Sequence, residues 1–442
     1  MKTFFKGTLL LVIAAFIGEC VEFLINLVLA KELGGHGMGL YMTILPSIFL
    51  IVILASLELP VSISKFVAEK EQRYHQSMLK HATILTTVFS AVVLSVAIVV
   101  LPLVPVFDDY HSLVRWIVVI LVPVISFTSI ARGYFMGIQS MGRIAFANFL
   151  RKAIQLILLV FIFQILDFQI QTSILIALCT LVISDIIVFA YLGYEYIIQY
   201  QRMKQKPASF LSGKMVRQNL LAVSLPTTGM RIFHAISHAV QPFLIKAALL
   251  KAGLPAAVAT EHFGLMSGVA LSIGFFPAFI AHSLLIVLIP TVSEAYAKRD
   301  TELLQTLLQQ VMRLTFLYGV PVCVVFYYFA DPLTHIFFES TAATVYLQML
   351  WPYFLFHFFL IPMQAYLIGL GLVKDAFIHN IWSTLISFSI MFILGSIQSL
   401  QMEGIIIGMN MGAVLLALLH YVTICRKIGI SVIGMKKLKE AL

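Results

Sequence analysis

Glu19, Glu22 and Asn26 follow one another at spacings of three and four residues inside an apolar run from Leu9 to Ala30. On a helix that spacing puts all three on one face. A second polar stripe has a basic character: Thr227, Arg231, His234, His238 and Gln241, again within an apolar stretch. Carboxylates can hold a cation or a proton, whereas a guanidinium forks onto the oxygens of an anion. Charge surrounded by hydrocarbon costs about 2.5–3.5 kcal/mol on insertion scales, so such groups face a cavity or a partner. Both stripes are therefore expected to line a central cavity and to contact substrate, acidic on one side and basic on the other. The competing reading is structural. Glu19 or Glu22 pairs with Arg231 and locks two lobes together, or the histidines hydrogen-bond within one lobe.

Other polar groups carry less information. Glu58, just before Pro60, reads either as a group at the rim of the cavity or as a carboxylate reaching for water. Asp185 is isolated in an apolar run; it carries a coupling ion or bonds to backbone or to Ser184. Asp185 and Glu58 are thus the candidates for ion coupling. His234 and His238 have a metal-compatible spacing but no third ligand, so neither a metal site nor a cofactor is expected. His282, His357 and His420 read as packing residues. Cys20, Cys179, Cys323 and Cys425 lie in apolar runs without ligand spacing and read as small core residues. There is no G-x-x-x-x-G-K-[ST] loop, so an ion gradient, the membrane potential or the substrate gradient is left as the driving force.

The elements that hold these residues must be membrane helices. Only 11% of the 442 residues are charged and 61% are hydrophobic, against roughly 25% charged in soluble domains. Runs of roughly 20 apolar residues suffice to cross the hydrocarbon. They place spans near 9–30, 38–57, 81–106, 113–131, 153–166, 173–195, 219–249, 263–289, 311–330, 346–370, 378–397 and 404–424. The fifth is short unless it extends back through Phe146–Leu150, and the seventh is expected to kink or break at Pro226. The first follows Lys2 and Lys6 like a signal peptide, but it is too long and lacks a small-residue cleavage site, so it reads as a retained helix.

Charge asymmetry orients the map. Of 29 Lys and Arg, only Lys31, Arg115, Lys246 and Lys251 fall on the outer side, and Arg231 falls within a span. Both termini are therefore expected in the cytoplasm. The net charge of +9 suits an anionic leaflet, and no nucleic-acid partner is expected. The most polar stretch, 196–218, contains a linker (201–218) between lobes 1–200 and 219–442. Weak repetition links the halves. Tyr134, Gly137 and Asn148 match Tyr366, Gly369 and Asn380 at a constant offset of 232. Gly39-Leu40 and Leu59-Pro60 echo Gly264-Leu265 and Ile289-Pro290 with a five-residue gap. The fold class is an all-α polytopic membrane protein, with about twelve spans in two pseudo-symmetric six-helix lobes around a central cavity.

Several segments carry a resemblance. They are Gly37-Met38-Gly39-Leu40-Tyr41, Leu59-Pro60-Val61-Ser62-Ile63-Ser64-Lys65 with Val67-Ala68-Glu69, and Arg132-Gly133-Tyr134-Phe135-Met136-Gly137-Ile138-Gln139-Ser140-Met141. Ala259-Thr260-Glu261-His262-Phe263-Gly264 and Ile289-Pro290-Thr291-Val292-Ser293-Glu294-Ala295-Tyr296-Ala297 complete the set. Together they resemble the stage V sporulation protein B family of the multidrug/oligosaccharidyl-lipid/polysaccharide flippase superfamily. The resemblance implies a V of two helical lobes and the export or flipping of lipid-linked saccharide precursors in spore-forming bacteria. Arg132, Tyr134, Asn148 and Glu294 lie in or beside these motifs and are expected to cap helix ends and to brace the hinge between helices. Two departures stand out. Longer relatives have fourteen helices, and arginines that relatives carry along the first helix align with Cys20 and Asn26 here, beside Glu19 and Glu22.

The leading expectation is a flippase or exporter of a lipid-linked saccharide, a cell-wall or spore-envelope precursor, working by alternating access in a bacterial cell membrane. Membrane lipids, an amphipathic substrate and cell-wall or spore-envelope assembly proteins are the expected partners. The acidic first helix favours the alternative of a cation-coupled multidrug exporter. A transport-inactive membrane partner protein is a third reading. A membrane enzyme is disfavoured, because no loop gathers carboxylates or histidines into a catalytic cluster.

Overall fold

The computed structural model describes residues 2–165, 168–205, 209–337 and 340–430. Side chains are described from Phe16 onward, except those of Pro226, Thr227, Met230, Ile286 and Val287. Every principal element among these residues is a helix. In chain order they are α1 (Lys2–Ser56), α2 (Leu59–Glu69), α3 (Gln72–Val100), α4 (Leu113–Gly137), α5 (Met141–Ile165), α6 (Ile170–Lys204), α7 (Gly213–Lys251) and α8 (Ala256–Gly264). They continue with α9 (Leu271–Phe275), α10 (Ala278–Ala297), α11 (Thr301–Tyr328), α12 (Ala330–His335), α13 (Thr341–Met349), α14 (Trp351–Gly369), α15 (Val373–Gly395) and α16 (Met402–Ile428).

Among the described residues, twelve helical segments are long and apolar enough to cross a membrane, counting Phe16–Glu69 as one and Ala256–Phe275 and Ala278–Ala297 separately. Four places bear on the borders expected from the sequence. Gly34 at φ 63° breaks α1 into the first two expected spans. The expected eighth span, 263–289, is not one rod. A π-helical turn over Leu265–Ala270 leads into α9, and the helix stops at Phe276 and Pro277 before α10 begins. Pro277 has no N–H to continue the ladder. The fifth span does reach back through Phe146–Leu150, since α5 starts at Met141. The α7 backbone is helical throughout, so the expected break at Pro226 is not found there. The Pro226 and Thr227 side chains lie outside the described residues.

The chain packs as two compact units, one of Met1–Gly39 with Gln241–Leu442, the other of Leu40–Val240. The described residues of the polar 201–218 segment fall within the second. Residues 206–208 lie outside the described residues, and the segment after them is tied down: the Ser209 amide donates to the Arg73 carbonyl and the Leu211 amide to Ser77 Oγ, both at 3.0 Å.

Apolar side chains gain little from meeting each other in lipid, so small residues that permit close backbone approach have to supply packing. In the unit Leu40–Val240, α2 lies against α4, where a Cβ on Gly137 would come within 2.5 Å of Val67 Cβ and 2.9 Å of the Ser64 carbonyl. Tyr134 and Phe135 are buried beside Ile63, Val67, Met78 and Leu79. In the other unit α10 meets α14 in the same way. A Cβ on Gly369 would come within 2.8 Å of Val292 Cβ and 3.0 Å of the Ile289 carbonyl. Tyr366, buried with Val292, donates its hydroxyl to the Leu304 carbonyl at 2.5 Å.

These paired contacts set the register of the repeat. Val67 and Val292 are separated by the same interval as Gly39 and Gly264, so the match of Leu59-Pro60 with Ile289-Pro290, and the gap it needed, is coincidental. The helix ends repeat too. After α4, Ile138, Gln139 and Ser140 donate to Tyr134, Met136 and Phe135; after α14, Leu370, Gly371 and Leu372 donate to Tyr366, Ile368 and Leu367. The left-handed residue of this turn is Gln139 in one copy and Gly371 in the other, at φ 56° and 76°.

Candidate functional site

Glu58 stands at the break between α1 and α2. Leu57 and Glu58 adopt φ of 45° and 46°, a left-handed conformation that costs an L-residue roughly 1–2 kcal/mol. Pro60 then opens α2. The break leaves Glu58 only 5% exposed. Arg231 on α7 reaches it, Nη1 donating to Glu58 Oε1 at 2.5 Å. The two ends are unequally buried, with side-chain exposures of 57% for Arg231 and 7% for Glu58. One arm of the guanidinium is thus fixed and partly neutralised while the rest stays open to an approaching group. Glu58 and Arg231 belong to the same unit, Leu40–Val240.

Further along α7, His234 is half-buried beside Phe233, ring centroids 5.8 Å apart, and feels the charges of Arg231 and His238. His238 is exposed and Gln241 half-buried. Gln241 is the first residue assigned to the other unit. The helix therefore presents a basic stripe that is open at Arg231 and His238.

Glu19, Glu22 and Asn26 are half-buried on α1. Glu19 interacts electrostatically with His282, which is exposed rather than packed away. Aromatic rings flank this face. Phe16 lies 5.0 Å from Phe279, and Phe23 lies 5.4 Å from Phe276 and 5.2 Å from Phe337, centroid to centroid.

Asp185 on α6 is not isolated. It interacts with Arg151 and Arg132, while the Ser184 hydroxyl donates to the Leu181 carbonyl at 2.6 Å and so is not its partner. Arg132 braces one helix against the next, its Nη1 donating to Asn148 Oδ1 at 2.9 Å and so joining α4 to α5. Glu294 accepts from Lys298 Nζ at 2.6 Å. His357 stacks on Tyr353 and meets the Phe275 ring at 4.7 Å, a packing role. His420 is 1% exposed, its Nδ1 3.1 Å from His379 Nδ1. Among the described residues no group of three or more His, Cys, Asp and Glu side chains could hold a metal. Sequence reasoning missed the pairing of Glu58 with Arg231, the partners of Asp185, and His379. Only Arg151 left a signal, a charge ten residues inside an apolar helix.

This arrangement of membrane-spanning helices recurs among solved structures. It matches a multidrug resistance MATE family transporter of the MOP superfamily, solved in an inward-facing conformation, with a TM-score of 0.73 and 17% identity over 93% of this chain and 94% of that one. At that identity the likeness speaks for fold alone. The model of the family described as polysaccharide biosynthesis protein matches residues 4–295, and that described as MatE matches 266–393. The chain is 53% identical to sporulation protein YkvU of Bacillus subtilis (strain 168) over 432 residues, 98% of this chain and 97% of that protein. It is 30% identical to stage V sporulation protein B of the same organism over 452 residues, 99% of this chain and 86% of that protein. The chain therefore belongs to the polysaccharide biosynthesis protein family of multi-pass membrane transporters.

Proposed function

We infer that this chain translocates a lipid-linked saccharide, a cell-wall or spore-envelope precursor, by alternating access of two lobes. Its expected setting is a bacterial cell membrane, with both termini cytoplasmic and envelope-assembly proteins as partners. The observation that carries this reading is Arg231, a guanidinium on a membrane helix that is half neutralised by buried Glu58 and otherwise open. Such a group is pre-positioned for the anionic linkage of a lipid-anchored sugar. The family and the sporulation names of the two relatives agree with that cargo class. Glu58 supplies the restraint, because a fixed fork loses less freedom on binding than a swinging one.

The test is flipping of a fluorescent lipid-linked saccharide in proteoliposomes. Arg231→Ala should abolish it in protein that still inserts. Arg231→Lys should recover only part, because a point charge lacks the bidentate fork. If the pair were merely a strut, Glu58→Gln with Arg231→Gln would restore flipping together with expression, and that result would sink the assignment.

The carboxylates and rings around Glu19 support a second reading, a cation-coupled multidrug exporter, since aromatic faces and carboxylates suit an organic cation. Drug efflux lost in Glu19→Gln and Glu22→Gln, with saccharide flipping absent from the wild type, would favour it.

A further inference from the structure

We propose that α4, α5 and α6 carry a second binding site, one that takes the phosphate of an anionic lipid head group. The site goes beyond the transport reading and does not depend on what Arg231 contacts. Its members are Arg132 on α4, Asn148 and Arg151 on α5, and Asp185 on α6, all within the unit Leu40–Val240. The Asp185 carboxylate interacts with both guanidiniums, and the two guanidiniums repel each other. Two cations against one carboxylate leave a net positive charge that draws an anion and turns away a coupling cation. The hydrogen bonding is also unfinished. Each guanidinium has five donors. Arg132 gives Nη1 to Asn148, and among the described residues Arg151 has no hydrogen bond and no ion pair within 4.0 Å.

Position argues for a lipid. Arg132 lies five residues before the end of α4, and Asn148 and Arg151 lie seven and ten residues into α5. At 1.5 Å per residue the charges sit roughly 8–15 Å from the turn joining the two helices. Exposed apolar side chains flank them, Phe146 and Phe149 on α5 and Ile186 and Phe189 on α6. A charged head at this depth beside an apolar, aromatic surface fits an amphiphile better than a free ion. Paired guanidiniums favour phosphate, which accepts bidentate bonds from each.

The experiment titrates the delipidated full chain, in non-ionic detergent, with phosphatidylglycerol, phosphatidylcholine or inorganic pyrophosphate, counting bound molecules by native mass spectrometry. Arg132→Gln with Arg151→Gln should weaken phosphatidylglycerol retention about tenfold. Phosphatidylcholine retention should not change, and Lys65→Gln, a charge control on α2, should behave as wild type. Asp185→Asn removes the carboxylate that competes for the guanidiniums and should tighten retention about threefold. If the double variant does not fold, Arg151→Lys is read instead; it keeps the charge, loses the fork, and should weaken retention about threefold. Unchanged retention in a folded arginine variant overturns the site. Pyrophosphate bound as tightly as phosphatidylglycerol overturns the lipid assignment.

Discussion

An ion pair with one buried end responds unequally to losing each end. Arg231→Ala strands the Glu58 carboxylate, which is 7% exposed, and should destabilise the protein by about 1–3 kcal/mol. Glu58→Gln leaves a guanidinium that the fold already leaves open and should lose less than about 1 kcal/mol. Thermal unfolding in detergent reads the difference; equal shifts would mean that the carboxylate is hydrated in solution. The stripes of Glu19, Glu22 and Asn26 and of Arg231, His234 and His238 were legible because helical spacing puts them on one face. The partner of Arg231 was not. Positions 58 and 231 stand in no periodic relation, and only the tertiary fold brings the two side chains together. Asp185 read as isolated for the same reason, since the charges that act on it, Arg132 and Arg151, lie on two other helices.

Helix contacts turn on individual glycines. A Cβ on Gly39 would lie 1.9 Å from the Thr260 carbonyl, a backbone atom that cannot swing aside. Gly39→Ala should therefore force α1 from α8 and lose about 1–3 kcal/mol. Gly193, inside α6 with nothing near its Cβ position, should gain about 1 kcal/mol as alanine. The pair, compared by unfolding in one detergent, separates helix approach from helix propensity. The repeated turn offers a third substitution. Gln139 holds φ 56° where its counterpart is Gly371, so Gln139→Gly should stabilise by about 1 kcal/mol, the left-handed penalty less the added chain entropy. A loss of stability would mean that the Gln139 side chain itself holds that turn. Apolar run length made most spans readable. It could not reveal the division at Phe276 and Pro277, because hydropathy continues across the break. It also hid the start of α5, where Arg143, Arg151 and Lys152 dilute the apolar signal.

For the whole molecule, orientation is the expectation with the most consequence. Single cysteines at Ser209 and Thr341, in a background lacking the four native ones, should label from opposite faces of sealed vesicles. Labelling from one face would invalidate the twelve-span map and the cytoplasmic placement of both ends. The composition of the two units bears on something else, the order of assembly. The ribosome delivers Met1–Gly39 first, yet those residues pack with Gln241–Leu442. Roughly 200 residues separate the two, about 10–40 s of synthesis at ordinary elongation rates. Through that interval the first helix, with Glu19 and Glu22 on its face, sits in the bilayer before its eventual neighbours exist. The unit Leu40–Val240 can close on its own schedule, but the other cannot finish until its earliest and latest segments meet. Biogenesis of this protein therefore depends on the insertion machinery, or an interim lipid or protein contact, sheltering two carboxylates until the second half of the chain arrives.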